Sequence, residues 1–435
     1  MGRLAAAVSG RVYRAKKLVK TDAGIYMLEA IVYTSAFVMV GNNINLFAKR
    51  MGASDYTLGL FQFAPHLAQM LILLPGGIFA DSLASKKKLV LGSLLATAAL
   101  YAATAFTPLL GGAGLMGYLA LYSVSMATAT LYGLGWNSFF TEVIPIEKRN
   151  DTLSLWFRAN FLLGIMAPLA TGFILSSLPT NGGKIAAHQA FFLVAAGMIV
   201  AQVFVLNRLK ARNPAPPIRI RLDTLKKAAV SLAGNRKFLF FCAVILVFYI
   251  GWQMDWTLYF IGETRYLGMN EALLGFAVVG NTLGQFLTLK FWTRMNERHG
   301  VVFPLFFAMA GMILYPPLMI FTTGLPQPIN RIAFLAGYSL IGMSQTPVSL
   351  NVLQCMLQVL PDTFRTISIS IFTMLGSFTN AVMPLAGVAL YNRLGADLRA
   401  MRLACLAVLA ARTTAALLWL YRWYVTERRL KKVKT

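Results

Sequence analysis

The sequence predicts an all-α polytopic membrane protein with 12 transmembrane helices in two pseudo-symmetric six-helix bundles. Three observations carry this: the composition, a series of long apolar windows, and an internal repeat. The 435 residues are 57% hydrophobic and only 13% charged, with a mean hydropathy of +0.64. Soluble domains are nearer half apolar and a quarter charged. Forty bases against 15 acids give a net charge of +25. Such a balance suits nucleic acid or an anionic membrane surface. Charge this sparse excludes a nucleic-acid-binding domain, which concentrates bases on one exposed face. Cys242, Cys355 and Cys405 are scattered through apolar stretches with no metal or redox spacing, so they read as small buried hydrophobes. The basic N-terminal segment lacks an apolar core with a small-residue cleavage site, so no cleavable signal peptide is expected.

A helix crossing the hydrocarbon core needs about 20 apolar residues. Windows of that kind lie at 23–48, 57–83, 88–110, 114–144, 152–177, 189–206, 238–261, 271–293, 301–323, 331–360, 366–391 and 403–421, numbered here as spans 1 to 12. The one long connection, 207–237, is basic, proline-broken early, and suited to a short amphipathic helix later. The predicted domains are therefore 1–206, a linker at 207–237, and 238–435. With the N-terminus placed inside, 30 of the 40 bases fall on the inner side, Arg158 in the inner part of span 5 among them, and 8 in outer loops, while Lys290 and Arg412 lie within spans. Basic residues accumulate on the cytoplasmic side, so both termini are expected there. The net charge then reads as an inner surface facing anionic lipid.

The two halves superpose at an offset of 216 residues without a gap. Gly52 falls on Gly268, Leu58 on Leu274, Gly59 on Gly275 and Gln69 on Gln285. Asp81 falls on Glu297, Pro145 on Pro361, Arg149 on Arg365, and Pro168-Leu169-Ala170 on Pro384-Leu385-Ala386. Six helices repeated in parallel orientation are a transporter architecture, with a substrate site expected near mid-bilayer.

These features resemble the major facilitator superfamily over essentially the whole chain. The loop after span 2, GIFADSLASKKK, is similar to the family's G-x3-D-[RK]-x-G-[RK]-x2-[RK] motif in Gly77, Asp81 and Lys88. It departs from that motif at Ser82, Ala84 and Ser85. The second copy, FWTRMNERHG, keeps Glu297, Arg298 and Gly300. Span 5 resembles the proline–glycine motif of family antiporters in Gly164, Pro168 and Gly172, and FYIGWQMDWTLYF is similar to span 7 of a poorly characterised bacterial group. The resemblance implies a drug-efflux-like branch and a conformational latch at the cytoplasmic ends of the helices. That latch would comprise Gly77, Asp81 and Arg149 in one half and Glu297, Arg298 and Arg365 in the other, with Lys86 to Lys88 standing in for lost bases. Pro168 and Pro384 lie inside helices, where a missing backbone donor kinks the chain.

Charged and polar residues inside spans are costly in lipid and mark functional positions. Glu29 lies about two turns into span 1 with Tyr33 on its face, and Arg158 lies as deep in span 5 from the same side. The two are expected to face each other, as a fixed pair or as a proton-exchanging one. Span 7 gathers Phe248, Trp252, Asp255 and Tyr259 on one face and Gln253 and Trp256 on the adjacent one. An acid among aromatics suits an organic cation; an interfacial aromatic belt near the outer leaflet, with Asp255 in a water-filled vestibule, is the alternative. Span 2 carries Gln62, His66 and Gln69 as one polar stripe, answered in span 8 by Asn281 and Gln285. An imidazole titrates near neutral pH, so His66 is a proton candidate; interhelical hydrogen bonding is the alternative role for this stripe. Asn137 lies near the inner end of span 4. Glu29, His66, Asp255 and Gln285 are expected to line one central cavity. Arg412, in the middle of span 12, finds no role beyond snorkelling toward the interface.

The function expected from the resemblance is secondary active transport of a small organic solute by alternating access, proton-coupled and outward. Import, or flipping of lipid or lysolipid, is the alternative on the same fold. An integral-membrane enzyme would need clustered acids, spaced histidines or an activated nucleophile, and none is present. No phosphate-binding GxxxxGK[ST] loop occurs, which argues against ATP-driven transport. No cofactor or metal is expected. The chain is expected to act as a monomer in the bacterial plasma (inner) membrane, with the solute, protons and lipid as its partners.

Overall fold

The computed structural model describes residues 21–211, 222–360 and 365–425, and every regular element among them is helical. Eleven helical stretches are long and apolar enough to cross a membrane. They correspond to spans 1 to 9, 11 and 12. The tenth expected span is helical too, in two pieces, Ile329–Gly342 and Thr346–Leu357. Each piece is shorter than a bilayer requires. Spans 7 and 9 are also interrupted: span 7 runs as Arg236–Gln253 and Trp256–Ile261, span 9 as Val302–Met312 and Tyr315–Thr322. An amphipathic helix, Leu222–Gly234, occupies the end of the expected linker. Outer and inner faces are named below by the basic-residue assignment.

Side chains at the turns explain why these helices begin where they do. Thr21, Thr180, Asn235, Asn270 and Asp397 each accept a hydrogen bond from a first-turn amide of spans 1, 6, 7, 8 and 12. Ser54 does the same for Thr57 at the start of span 2. A first-turn amide has no intrahelical partner, so such a cap contributes about 1 kcal/mol. The repeat explains the pairing of these signals, since Ser54 and Asn270 are 216 residues apart. So are Gly52 and Gly268, which turn the chain into spans 2 and 8 at φ +89° and +62°. Gly300 closes span 8 at φ +78°, whereas its counterpart Ala84 takes no left-handed conformation. There Lys86 ends span 2 instead, donating to the carbonyls of Ala80, Asp81 and Leu83. Lys87 similarly closes span 6 through Asn207 and Leu209.

The chain forms two compact units. The first holds the described residues up to Met51, Leu71–Ala167, and the described residues of 180–220. Inside it span 1 packs on span 6, and span 3 on spans 4 and 6. The second holds Gly52–Met70, Pro168–Pro179 and the described residues after 221. Inside it span 7 packs on span 12, and span 9 on spans 10 and 12. The neighbour relations 1–6, 3–4 and 3–6 thus recur as 7–12, 9–10 and 9–12, the physical counterpart of the sequence repeat. The outer parts of spans 2 and 5 belong to the second unit.

Gly52 and Gly268 give a comparative prediction. An alanine at a left-handed glycine costs about 1–2 kcal/mol. A Cβ at Gly52 meets open space, whereas one at Gly268 would lie 2.9 Å from an Arg331 guanidinium nitrogen. Gly268→Ala is expected to lower the melting temperature of detergent-solubilised protein more than Gly52→Ala does.

Candidate functional site

Glu29 is fully buried in the first unit. One carboxylate oxygen accepts from the Tyr132 hydroxyl and, at 2.9 Å, from Gln202 Nε2; the other accepts from Trp156 Nε1 at 2.8 Å. Gln202 also donates to the Tyr132 hydroxyl at 3.1 Å. Spans 4, 5 and 6 therefore all converge on the acid of span 1. The Tyr33 and Tyr132 rings pack at 4.9 Å, tilted by 36°, and Trp136 lies 5.2 Å from Trp156. No cation pairs with Glu29 among the described residues. Arg158, its expected partner, is exposed and turned off this cluster. Two residues before it, the partly buried Trp156 takes the position on the cluster instead, about 200° around the helix. Arg158 and Glu29 therefore form no pair.

A buried charge is costly unless hydrogen bonds replace its water. Three side-chain donors do so here, and each bond to a carboxylate contributes about 1.5–3 kcal/mol. The arrangement holds a buried carboxyl group among neutral donors, with no cation beside it among the described residues. The sequence carried a signal for Gln202, a lone amide in the apolar run of span 6. Tyr132 and Trp156 looked like any other aromatic residue of a span.

The second deep acid has a different partner. Asp255 and Arg412 are buried in the second unit with a 2.8 Å ion pair. The guanidinium also donates to the carbonyls of Gly251 at 3.0 Å and Met312 at 2.6 Å, and its centre lies 5.4 Å from the Tyr315 ring centroid. These carbonyls sit where span 7 and span 9 break. A helix C-terminus leaves carbonyls without partners and presents negative potential, so a cation belongs there. Arg412 thus does not snorkel; it closes two helix ends and carries its own counter-ion. A Cβ at Gly251 would lie 3.1 Å from the Arg412 backbone nitrogen, which is why span 12 approaches so closely. Asp255, neutralised in this way, offers no free charge to an organic cation.

The remaining predicted residues separate into several groups. Asn281 donates to the Tyr315 hydroxyl at 2.6 Å, and Gln285 reaches Asn281 at 2.8 Å and Gln345 at 3.0 Å. Gln345 donates to the same Tyr315 hydroxyl at 2.8 Å. This amide network ties span 8 to the interruptions of spans 9 and 10. Gln253 is buried. Trp252 stacks on Phe248 and meets Trp256 edge-on at 5.7 Å. His66 lies 6.3 Å from Trp256, with Nδ1 2.7 Å from the Gln62 carbonyl. Gln62 and Gln69 are partly buried, and Asn137 is exposed with its amide on the Gly133 carbonyl. Glu29 and Asp255 are wholly buried on partners of their own, one in each unit, which differs from the exposed cavity lining expected of them. Glu29 has partners on both carboxylate oxygens, and Asp255 has Arg412 on Oδ2.

Of the expected latch, Arg149 binds the carbonyls of Thr141 and Ile144 at the end of span 4. Asp81 is partly buried, Glu297 and Arg298 are exposed, and none of the three forms an ion pair among the described residues. Gly77 has open space where a Cβ would stand. The Arg365 side chain lies outside the described residues. Pro168 and Pro384 sit inside helices that continue through them.

The outer side of the second unit is tightly closed. Arg265, at the end of span 7, forms a two-point ion pair with Asp55 at the start of span 2, both contacts 2.9 Å. It also donates to the Tyr391 hydroxyl at 2.9 Å. Below this clamp a Cβ on Gly59 would lie 2.9 Å from Leu385, and one on Gly275 would lie 2.9 Å from the Pro168 carbonyl. These contacts are related by the repeat: Gly59 and Gly275 correspond, and so do Pro168-Leu169 and Pro384-Leu385. The motif residues kept in both halves are thus the ones that meet, span 2 on span 11 and span 8 on span 5.

No known family model matches the chain, and no curated protein matches it in sequence. Solved structures do match in shape. A bacterial homologue of the iron transporter ferroportin in an inward-facing state superposes with a TM-score of 0.70 at 11% identity, covering 93% of this chain and 99% of its own. A POT family transporter in complex with 5-aminolevulinic acid gives 0.68 at 13% identity, covering 93% and 96%. A bacterial homologue of the human lysosomal transporter Spinster, inward-facing and unoccupied, gives 0.62 at 16%, covering 94% and 98%. The chain has the fold of these polytopic transporters.

The Arg412 site generates a stability prediction. Removing one member of a buried pair costs about 3–5 kcal/mol, because the other charge stays behind. Arg412→Met is expected to destabilise the protein by that amount in chemical unfolding, and adding Asp255→Leu should recover part of it. A double variant less stable than Arg412→Met would contradict the charge-pair account.

Proposed function

We propose that the chain is a secondary active transporter that moves a small organic solute by alternating access, coupled to protons and directed outward. The supporting observation is the Glu29 cluster: a wholly buried carboxylate, solvated by donors from three other spans and by no cation. Such a group can take up and release a proton, and either event rebalances four helices at once. In this reading the six-helix halves, 1–206 and 238–435, alternate about the site. The Arg265–Asp55 clamp and the Gly59 and Gly275 contacts belong to the outward-closed state, and Asp81 and Glu297 engage when the inner side closes. Outward direction follows from the resemblance of residues 77–88 and 164–172 to antiporter motifs. Residues Gln62, His66, Gln69, Asn137, Trp252 and Trp256 are assigned to the solute pathway.

Everted membrane vesicles with a pH-sensitive dye provide the test. Addition of a transported solute from a panel of organic cations, anions, sugars and lysolipids should release protons in vesicles carrying the wild-type chain. Glu29→Gln should reduce that release at least about tenfold, as expected for loss of an essential proton-transfer group. Full coupled flux from the variant would remove Glu29 from the mechanism. Absence of both solute accumulation and proton release across the panel would count against proton antiport.

The glycine contacts carry a second prediction. Gly59→Val with Gly275→Val should hold the outer seam apart, because each added Cβ alone would stand 2.9 Å from a neighbouring heavy atom. A cysteine placed at buried Val388 should then label several-fold faster with an impermeant maleimide from the outer side. Unchanged labelling would show that the seam does not open.

A further inference from the structure

Gln202 is fully buried in span 6, and its side chain makes two bonds, both through Nε2. One goes to Glu29 Oε1 at 2.9 Å and the other to the Tyr132 hydroxyl at 3.1 Å. Its carbonyl oxygen, Oε1, is buried without a partner among the described residues. A buried acceptor left bare is costly and calls for a reason. Glu29, Tyr132 and Gln202 all belong to the first unit, and their polar groups close a ring: Tyr132 donates to Glu29, and Gln202 donates to both.

This ring is complete for an ionised carboxyl. A carboxylate only accepts, an indole N–H only donates, and a carboxamide has two donor hydrogens at one end and an acceptor at the other. The carboxylate takes Tyr132, Trp156 and one Gln202 hydrogen, and the second Gln202 hydrogen goes to Tyr132. Every donor bonded to Glu29 is thereby used, and Gln202 Oε1 is left over. A protonated Glu29 adds one donor to this shell, and no acceptor in it is free. Trp156 cannot accept, and the Tyr132 oxygen could do so only if its own hydrogen, now on Glu29, found another place. Trp136, whose indole nitrogen is also buried without a partner, only donates. Half a turn of the Gln202 amide supplies what is missing. Oε1 would then stand where Nε2 stands, within reach of both Glu29 Oε1 and the Tyr132 hydroxyl, and its two lone pairs can accept from both. The other titratable groups facing Glu29 are tyrosines: Tyr132 on span 4 and Tyr26 and Tyr33 on span 1, with Tyr101 of span 3 beyond Tyr33. Glu142 of span 4 and Asp22 act on Tyr26, whose ring packs on Trp136 and Phe140. Spans 5 and 6 present Trp156 and Gln202, which do not titrate.

We infer that Gln202 is the positioning residue that reads the protonation of Glu29: its amide turns over when the carboxyl takes up a proton, and the hydrogen bonds of the ring reverse. The inference rests on the transport reading, in which Glu29 exchanges the coupled proton, and adds how that event leaves span 1. Span 1 packs along span 6, so the bond between Glu29 and Gln202 joins two neighbouring helices. In the ionised ring Gln202 donates to a charged group; in the protonated ring it accepts from neutral ones on spans 1 and 4. A hydrogen bond to a charge is roughly twice as strong as one between neutral groups. Protonation therefore loosens the tie of span 1 to span 6 while leaving no hydrogen of Glu29 unpaired. Glutamine suits the task because the two ends of its amide are nearly equal in shape, and one broad side-chain torsion exchanges them.

Infrared difference spectroscopy on the full chain in lipid nanodiscs follows both ends of this event as the pH is lowered. The Glu29 carboxyl band is identified by its loss in Glu29→Gln. The Gln202 carbonyl band is identified by isotope labelling of glutamine side chains and by its loss in Gln202→Met; Gln202→Glu removes the same band and is the second variant for the assignment. The Gln202 band is expected to move to lower frequency in step with growth of the Glu29 band, because its carbonyl passes from bare to hydrogen-bonded. In Glu29→Gln it should not move with pH. In Gln202→Met the Glu29 carboxyl band should shift to higher frequency than in the wild type, because its hydroxyl has lost its acceptor. A Gln202 band that stays fixed while Glu29 takes up its proton, or a Glu29 band that Gln202→Met leaves in place, would overturn the amide reversal alone. A Glu29 carboxyl that neither gains nor loses its proton across the accessible pH range would remove proton coupling through it, and this inference with it. Solute accumulation in the vesicle assay above reads transport separately.

Discussion

Inside a hydrocarbon layer no water is available to a bare carbonyl or a charged side chain, and this constraint shapes the molecule. A continuous helix meets it for the backbone by itself. Spans 7 and 9 do not stay continuous, and their breaks leave carbonyls that need a donor. Arg412 answers for both, through Gly251 and Met312, and Asp255 balances its charge. A single guanidinium suits this task because its five donors project in a fixed fork. The interruption of two helices, the close approach of span 12 at Gly251, and the burial of Asp255 all follow from that arrangement. Around it, Tyr315 connects the guanidinium to the amides of Asn281, Gln285 and Gln345, so the breaks of spans 9 and 10 share one polar network.

The first unit meets the same constraint in a different way. Glu29 has hydroxyl, indole and amide donors and no cation. A carboxylate paired with arginine has its charge balanced by that partner; one surrounded by neutral donors has only their dipoles. The two units therefore place a deep acid in opposite electrostatic settings. Proton coupling is proposed through span 1 on the strength of this contrast, while the charged pair at span 7 closes helix ends.

Glycine has a separate role. Gly59 and Gly275 let helix backbones come within contact distance on the outer side, and Gly52 and Gly268 supply the left-handed turns that aim spans 2 and 8 at those contacts. The same four positions are paired by the 216-residue offset. A repeat in sequence is thus a repeat in geometry: a turn, a helix and a crossing, used twice. The Arg265–Asp55 pair fastens the end of span 7 to the start of span 2.

Much of the architecture was legible in the amino-acid sequence. Hydropathy sets the number of spans and the repeat sets their grouping, because burial in lipid demands long apolar runs and parallel halves keep their turn residues. The sequence also singled out Glu29, Asp255, Arg158 and Arg412 as residues that lipid alone would not tolerate. Only the tertiary structure decided who partners whom. Helical periodicity places a residue on a face but carries no information about contacts more than 100 residues away along the chain. It paired Glu29 with Arg158 by depth, whereas packing gave Glu29 to Tyr132, Trp156 and Gln202. It left Arg412 without a purpose, whereas a break in span 7 and another in span 9 supplied one. Those breaks arise from packing and side-chain satisfaction together, a balance that no linear pattern of apolar and polar residues records.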